Sequence, residues 1–212
     1  MTPANRHLLI VAALVALVAC AAELSAGQIA GRITYDNRVP RVTGDTGDCE
    51  RVDSVRSAVL VTVLNPPAGG RRGAPVSVEI RNCQFQTRVV GLMIGQSLGF
   101  KNRDGIPHNV HGLPKENREF NIGMPPTTTN SINFRSPERP FPVKCDAHPW
   151  MTSYVAVMTH PYFAVTDDRG SFSIDGLPAG SYSVQAWHER LGTRTFMVEI
   201  DEGASEPVDW RF

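Results

Sequence analysis

The sequence predicts an all-β protein built as two sandwiches, and three observations carry that prediction. No long amphipathic helix pattern follows the first 25 residues. Short runs rich in Val, Ile, Phe and Thr recur between turn signals, the pattern of a Greek-key sandwich or barrel. Glycine and proline contribute 18 and 16 of 212 residues, above the roughly 12% of an average chain, as many turns require. Basic and acidic residues balance at 21 each, so charge points neither to nucleic acid nor to an anionic membrane surface.

Arg6 and His7 precede an apolar run over residues 8–18. That run is shorter than the roughly 20 residues that span a bilayer and suits the apolar region of an export signal. A signal peptide over residues 1–26 is expected. Leu17-Val18-Ala19-Cys20 resembles a bacterial lipobox, which makes Cys20 a candidate lipidated residue. Cleavage after Ala22 or Ala26 reads equally well. Either route places the body in the periplasm or cell envelope, where disulfides persist. The only membrane contact expected is the lipid anchor.

Residues 27–65 hold two strand patterns, one at Gln28 to Tyr35 and one at residues 57–64. The second is continuously apolar, which implies burial on both faces. Residues 40–53 form a polar loop carrying Cys49. Residues 66–75, rich in Pro, Gly and Arg, form a linker. Residues 76–158 then alternate in short strands: 76–80, 85–94, 98–102, 120–122 as an edge, 131–134, 141–144 and 154–158. Residues 159–212 add strands near Phe163, Ser171, Tyr182 and Arg194, with an edge at 208–212. Those few strands are thin for an independent core, and the strands of residues 27–65 would complete it.

Val143-Lys144-Cys145-Asp146-Ala147-His148-Pro149-Trp150-Met151 carries the most informative chemistry. A thiol, an imidazole and a thioether follow one another as Cys-x-x-His-x-x-Met. Soft sulfur suits Cu(I), imidazole accepts both copper oxidation states, and a long bond to Met caps a trigonal His2Cys set. The missing imidazole is expected from Pro107-His108-Asn109-Val110, with His111 the rival in that loop. Cys145 would bind as thiolate. The plainer readings are a buried structural thiol for Cys145, core packing for Met151 and a surface histidine for His148. Four cysteines less Cys20 leave Cys49, Cys83 and Cys145. If Cys49 pairs with Cys83, Cys145 stays free; spacing alone does not fix the pairing.

These residues resemble a cupredoxin of the amicyanin and plastocyanin group. Cys145, His148, Pro149, Trp150 and Met151 match its short ligand loop. Asn102, Asp104, His108, Asn109 and Val110 match its upstream pattern, and the resemblance covers residues 76–158. It implies one type 1 copper held by His108, Cys145, His148 and Met151. Asn109 would hold the two ligand loops together by bonding backbone near Cys145. Pro149 and Trp150 would shield the metal and offer an apolar docking face.

Residues 159–212 resemble a carboxypeptidase-regulatory-like (transthyretin-like) domain. The matching residues are Thr166, Asp167, Gly170, Phe172, Ile174, Leu177, Pro178, Gly180 and Tyr182. Gly31-Arg32-Ile33-Thr34-Tyr35 and residues 58–64 look like that domain's first strands. This implies a cupredoxin inserted into a sandwich made from both chain ends. The arrangement resembles bacterial envelope proteins labelled methylamine-utilisation-like.

The expected role is an envelope electron carrier, not an enzyme, passing single electrons between redox partners such as a cytochrome or dehydrogenase. A multicopper oxidase needs His-x-His pairs, and a dinuclear copper site needs two cysteines in one loop; the sequence has neither. Structural zinc would use more Cys or His and no Met. Two other readings stand beside the carrier: copper delivery without a redox role, and an adhesion or carbohydrate-binding β-module with a vestigial metal site. His160 and His188 read as structural. Asp167 and Asp168 read as turn residues.

Overall fold

The computed structural model describes residues 26–34, 58–70, 73–201 and 205–212. The expected signal peptide, Cys20 and Cys49 lie outside them. The described residues form sixteen strands and no helix. Four sheets result.

Strands β3 (Val76–Arg81), β4 (Gln84–Phe85), β6 (Ser97–Asn102) and β9 (Thr129–Asn133) make one sheet, in the order β4-β3-β6-β9. Facing it are β5 (Val89–Met93), β7 (His108–Gly112), β8 (Phe120–Met124), β10 (Glu138–Lys144) and β11 (Thr152–Met158), in the order β5-β11-β10-β7-β8. Alternating side chains from both sheets fill the space between: Val78, Ile80, Leu98 and Phe100 meet Val90, Leu92, Val110, Val155 and Val157. Residues 85–94, read from sequence as one strand, are broken between β4 and β5. The reason is topological: β4 pairs with β3 and β5 pairs with β11, so residues 86–88 carry the chain from one sheet to the other.

The chain ends build the second sandwich. β1 (Gly27–Thr34) lies between β13 (Ser171–Leu177) and β16 (Ser205–Arg211). β2 (Leu60–Val63) lies between β12 (Phe163–Val165) and β14 (Gly180–His188), with β15 (Gly192–Ile200) at the edge. Ile33, Val61 and Val184 share one core, and Val61 lies opposite Ala186. The C-terminal strand pairs with β1 in parallel.

Strand β2 explains its own apolar run. Val59, Val61 and Val63 point into the second core. Leu60 points the other way, into a third cluster between the sandwiches with Val89, Ala156, Tyr154, Phe163 and Trp187. Gly91 makes this seam close, since a Cβ there would stand 2.7 Å from the Phe163 ring. Arg88 adds a polar tie. Its Nε and Nη2 donate to the Glu189 carboxylate at 2.7 and 2.8 Å, and its Nη1 donates to the Thr152 carbonyl at 2.7 Å.

Glu189 is only 4% exposed in this pair, so removing it strands a guanidinium in the seam. Glu189→Ala is expected to destabilise the protein by about 3 kcal/mol, measured by urea unfolding. A loss below about 1 kcal/mol, the range of a surface pair, would contradict the seam's role.

Candidate metal centre

Two loops at one end of the first sandwich supply the centre. β10 delivers Cys145 directly beyond its last residue, and β7 begins at His108. These strands pair antiparallel, Val143 with Gly112 and Lys144 with His111. The end of one therefore lies beside the start of the other. The loop to β11 is closed by two backbone bonds, Met151 N–H to the His148 carbonyl at 2.9 Å and Cys145 N–H to the Met151 carbonyl at 3.3 Å. A turn this tight turns His148 back over Cys145.

The donor atoms converge. His108 Nδ1 and His148 Nδ1 are 3.1 Å apart, and Cys145 Sγ lies 3.9 and 3.5 Å from them. A point equidistant from all three lies about 2 Å from each, the length of a metal–imidazole bond. His108 and Cys145 are buried. Cys145 is a free thiol, and Cys83 is disulfide-bonded. Cys49, the expected partner of Cys83, lies outside the described residues. One soft sulfur and two imidazoles form a donor set that suits copper. Met151 is buried in the same core cluster as Cys145.

The histidines are held so that Nδ1 faces inward. His108 Nε2–H donates to Asp104 Oδ2 at 3.0 Å, which leaves Nδ1 as the bare nitrogen. Burial pushes the His108 pKa down, opposed by the bond to Asp104. His148 is also pushed down, by burial first and then by His108 beside it. Both shifts favour neutral imidazoles, the metal-binding form.

Asn109 ties the loops. Its Oδ1 accepts the Asp146 N–H at 2.7 Å, and its Nδ2 donates to Asp146 Oδ2 at 2.7 Å. His111 stays out of the donor triangle. Its Nδ1 bonds Asp146 at 2.9 Å and its Nε2 bonds Glu119 at 3.1 Å. Trp150 sets its ring edge-on to His148, centroids 5.3 Å apart, and its Nε1–H donates to the Cys83 carbonyl at 3.0 Å. Pro149 is exposed beside it.

Residues read as structural take up turn contacts. His160 Nδ1 accepts the Tyr162 N–H, and His188 Nδ1 accepts those of Arg190 and Leu191. Asp167 Oδ1 accepts from the Arg169 and Ser171 amides. Asp104, Asp146 and Glu119 were missed as supporting groups. Asp104 already stands in the upstream pattern that includes His108, though without this supporting role; nothing local pairs Asp146 or Glu119 with His111.

No family model matches the chain. It is 28% identical over 107 residues to amicyanin-alpha of Methylorubrum extorquens, covering 49% of this chain and 85% of that relative. A reduced mutant amicyanin of known structure is similar over 46% of this chain and 98% of its own, at 22% identity and a TM-score of 0.36. For a purple cupredoxin from Nitrosopumilus maritimus the values are 39%, 99%, 17% and 0.35. A copper-containing nitrite reductase from Thermus scotoductus is similar over 44% of this chain but 25% of its own, at 20% identity and a TM-score of 0.38. The amicyanin-alpha relative supports a cupredoxin domain within this chain.

His111 gives a pH prediction. Asp146 first, then Glu119, hold its pKa above the usual 6.5, and His111 first holds Asp146 below its usual 3.8. A raised imidazole pKa contributes stability below the unfolded value and loses it as pH rises through the folded one. A lowered carboxylate pKa contributes above the unfolded value and loses it as pH falls through the folded one. The bonds are therefore strongest between pH 3.8 and 6.5. An NMR titration is expected to place the His111 midpoint above 6.5 and to return it toward that value in Asp146→Asn. An unmoved midpoint in that variant counts against the contact.

Proposed function

We propose that this protein is a type 1 copper protein of the bacterial cell envelope that carries single electrons between redox partners. The observation that carries this reading is the inward convergence of His108 Nδ1, His148 Nδ1 and Cys145 Sγ, with separations of 3.1, 3.5 and 3.9 Å. Met151, buried beside them, is the proposed axial donor. Bound copper would supply a one-electron couple between Cu(II) and Cu(I).

The residues of this chain do the rest. Cys145 offers thiolate from the end of β10, where the strand ladder limits its movement. His108 is held by Asp104 and His148 by its short loop, so neither needs to swing when the charge at the centre changes. Asn109 keeps the two loops together while this happens. Donors held this firmly would favour electron exchange at a bound copper over bond-making chemistry. With Met151 as the fourth donor, a bound copper would have no open position for a substrate, which supports a carrier over an enzyme.

His148, Pro149 and Trp150 form the way in for a partner. His148 is half-buried and Pro149 exposed, so the His148 imidazole edge is where a bound copper would exchange electrons with a partner. The partner is a redox protein such as a cytochrome or dehydrogenase. The export signal read over residues 1–26 supports the envelope location, with Cys20 as the candidate anchor.

The test is copper reconstitution followed by absorption spectroscopy. One equivalent is expected to give intense visible absorption from thiolate-to-copper charge transfer. Cys145→Ser should abolish that band, and Met151→Leu should keep it while changing the reduction potential. A colourless protein that exchanges Cu(I) readily would replace the carrier with a copper-delivery role. Failure to take up copper would leave a β-module whose metal site is vestigial.

A further inference from the structure

The turn at Asn82 and Cys83 lies outside both ligand loops, yet it touches each. Both residues have φ of 52°, an uncommon conformation for side chains larger than glycine. One carboxylate holds the pair there. Asp104 Oδ1 accepts the Asn82 N–H at 2.7 Å, and Asp104 Oδ2 accepts the Cys83 N–H at 2.9 Å. That same Oδ2 accepts the His108 Nε2–H at 3.0 Å. Cys83 Sγ, a carboxylate oxygen of Asp104 and a ring nitrogen of His108 all lie within 4.8 Å of one another.

The carbonyl side of the turn reaches the other loop. Cys83 O accepts the Trp150 Nε1–H at 3.0 Å, and the Trp150 ring lies edge-on to His148. The 82–83 turn thus meets one imidazole through Asp104 and the other through Trp150. Cys83 itself is buried and disulfide-bonded. A cross-link restricts the conformations open to the chain around it.

We infer that the Asn82–Cys83 turn is a third, positioning loop of the centre, pinned by its disulfide, and that opening the disulfide loosens both imidazoles. This rests on reading His108 and His148 as metal ligands. Asp104 is its central positioning residue. With the turn in place, two backbone amides fix the carboxylate, and the carboxylate fixes which nitrogen of His108 carries hydrogen. With the disulfide open, the left-handed pair relaxes, Asp104 loses its two amides, and the Trp150 bond goes with them. Metal retention in this protein then depends on the thiol redox state of its surroundings.

The experiment uses metal-free full-length protein labelled with nitrogen-15, held above pH 7 so that the imidazoles are neutral. Long-range proton–nitrogen NMR reads the tautomer of each ring. The unmodified protein is expected to show His108 with hydrogen on Nε2. Asp104→Asn should give a mixture of tautomers at His108, and Asp104→Glu should restore the original form in part. Trp150→Phe should shift His148 and leave His108 alone. A water-soluble phosphine tests the disulfide without any substitution. The disulfide becomes two thiols as the phosphine becomes its oxide, with water supplying oxygen and protons. That treatment should move both histidines. Copper affinity is expected to fall about 10-fold or more in Asp104→Asn.

The inference is overturned if His108 keeps its Nε2 hydrogen in Asp104→Asn, or if phosphine treatment opens the disulfide and leaves both rings unchanged. The metal-free readout separates the two ideas: tautomer changes as expected in a protein that takes up no copper would uphold the positioning loop and sink the carrier.

Discussion

The centre depends on a short antiparallel contact between β7 and β10, Val143 opposite Gly112 and Lys144 opposite His111. Continuing that direction by a few residues brings the Asn109 side chain to the Asp146 amide, where it bonds at 2.7 Å. From there His108 and Cys145 face one another. Neither loop holds the geometry alone. The ladder sets the distance between loops, the Asn109 amide locks it, and the tight return from Cys145 to Met151 adds His148. A donor set prearranged this way suits a metal whose two oxidation states prefer different geometries and must be held between them.

The second sandwich bears on the same end of the molecule through the seam. Arg88 holds the Thr152 carbonyl, one residue beyond Met151, while its guanidinium is paired with Glu189 of the other unit. Tyr154 meets Trp187 edge-on at 5.3 Å, and the Arg88 guanidinium stands over the Tyr154 ring. β11 is therefore braced from the seam, starting one residue beyond Met151. The brace limits how far the strand after Met151 can shift. Leu60 contributes from a strand that precedes the whole first sandwich in the chain. That is why its run is apolar on both faces rather than alternating.

Much of this could be read from residues alone, and the boundary is physical. Strand positions followed from alternation at Val76 to Ile80 and from turn residues between runs, because the pleat repeats every two residues. The break between β4 and β5 did not, because changing sheets leaves no mark on local hydropathy. Asn109 could be singled out from its neighbour His108, but its bond to Asp146 spans 37 residues. His111 is a rival donor by position in the chain, but its ring is bonded on both sides by carboxylates from two other loops.

By itself the sequence determined the chemistry available: a thiol, an imidazole and a thioether at spacings that one tight loop brings together, and strands whose apolar faces must be covered. Local spacing suffices there because a turn has little freedom. Only the tertiary structure decided which distant groups serve those donors. The Asp146 amide on Asn109, Cys83 O under Trp150 and Glu189 against Arg88 are contacts made when strands pair across the chain. Pairing is set by the burial of whole faces, so no single residue announces its partner.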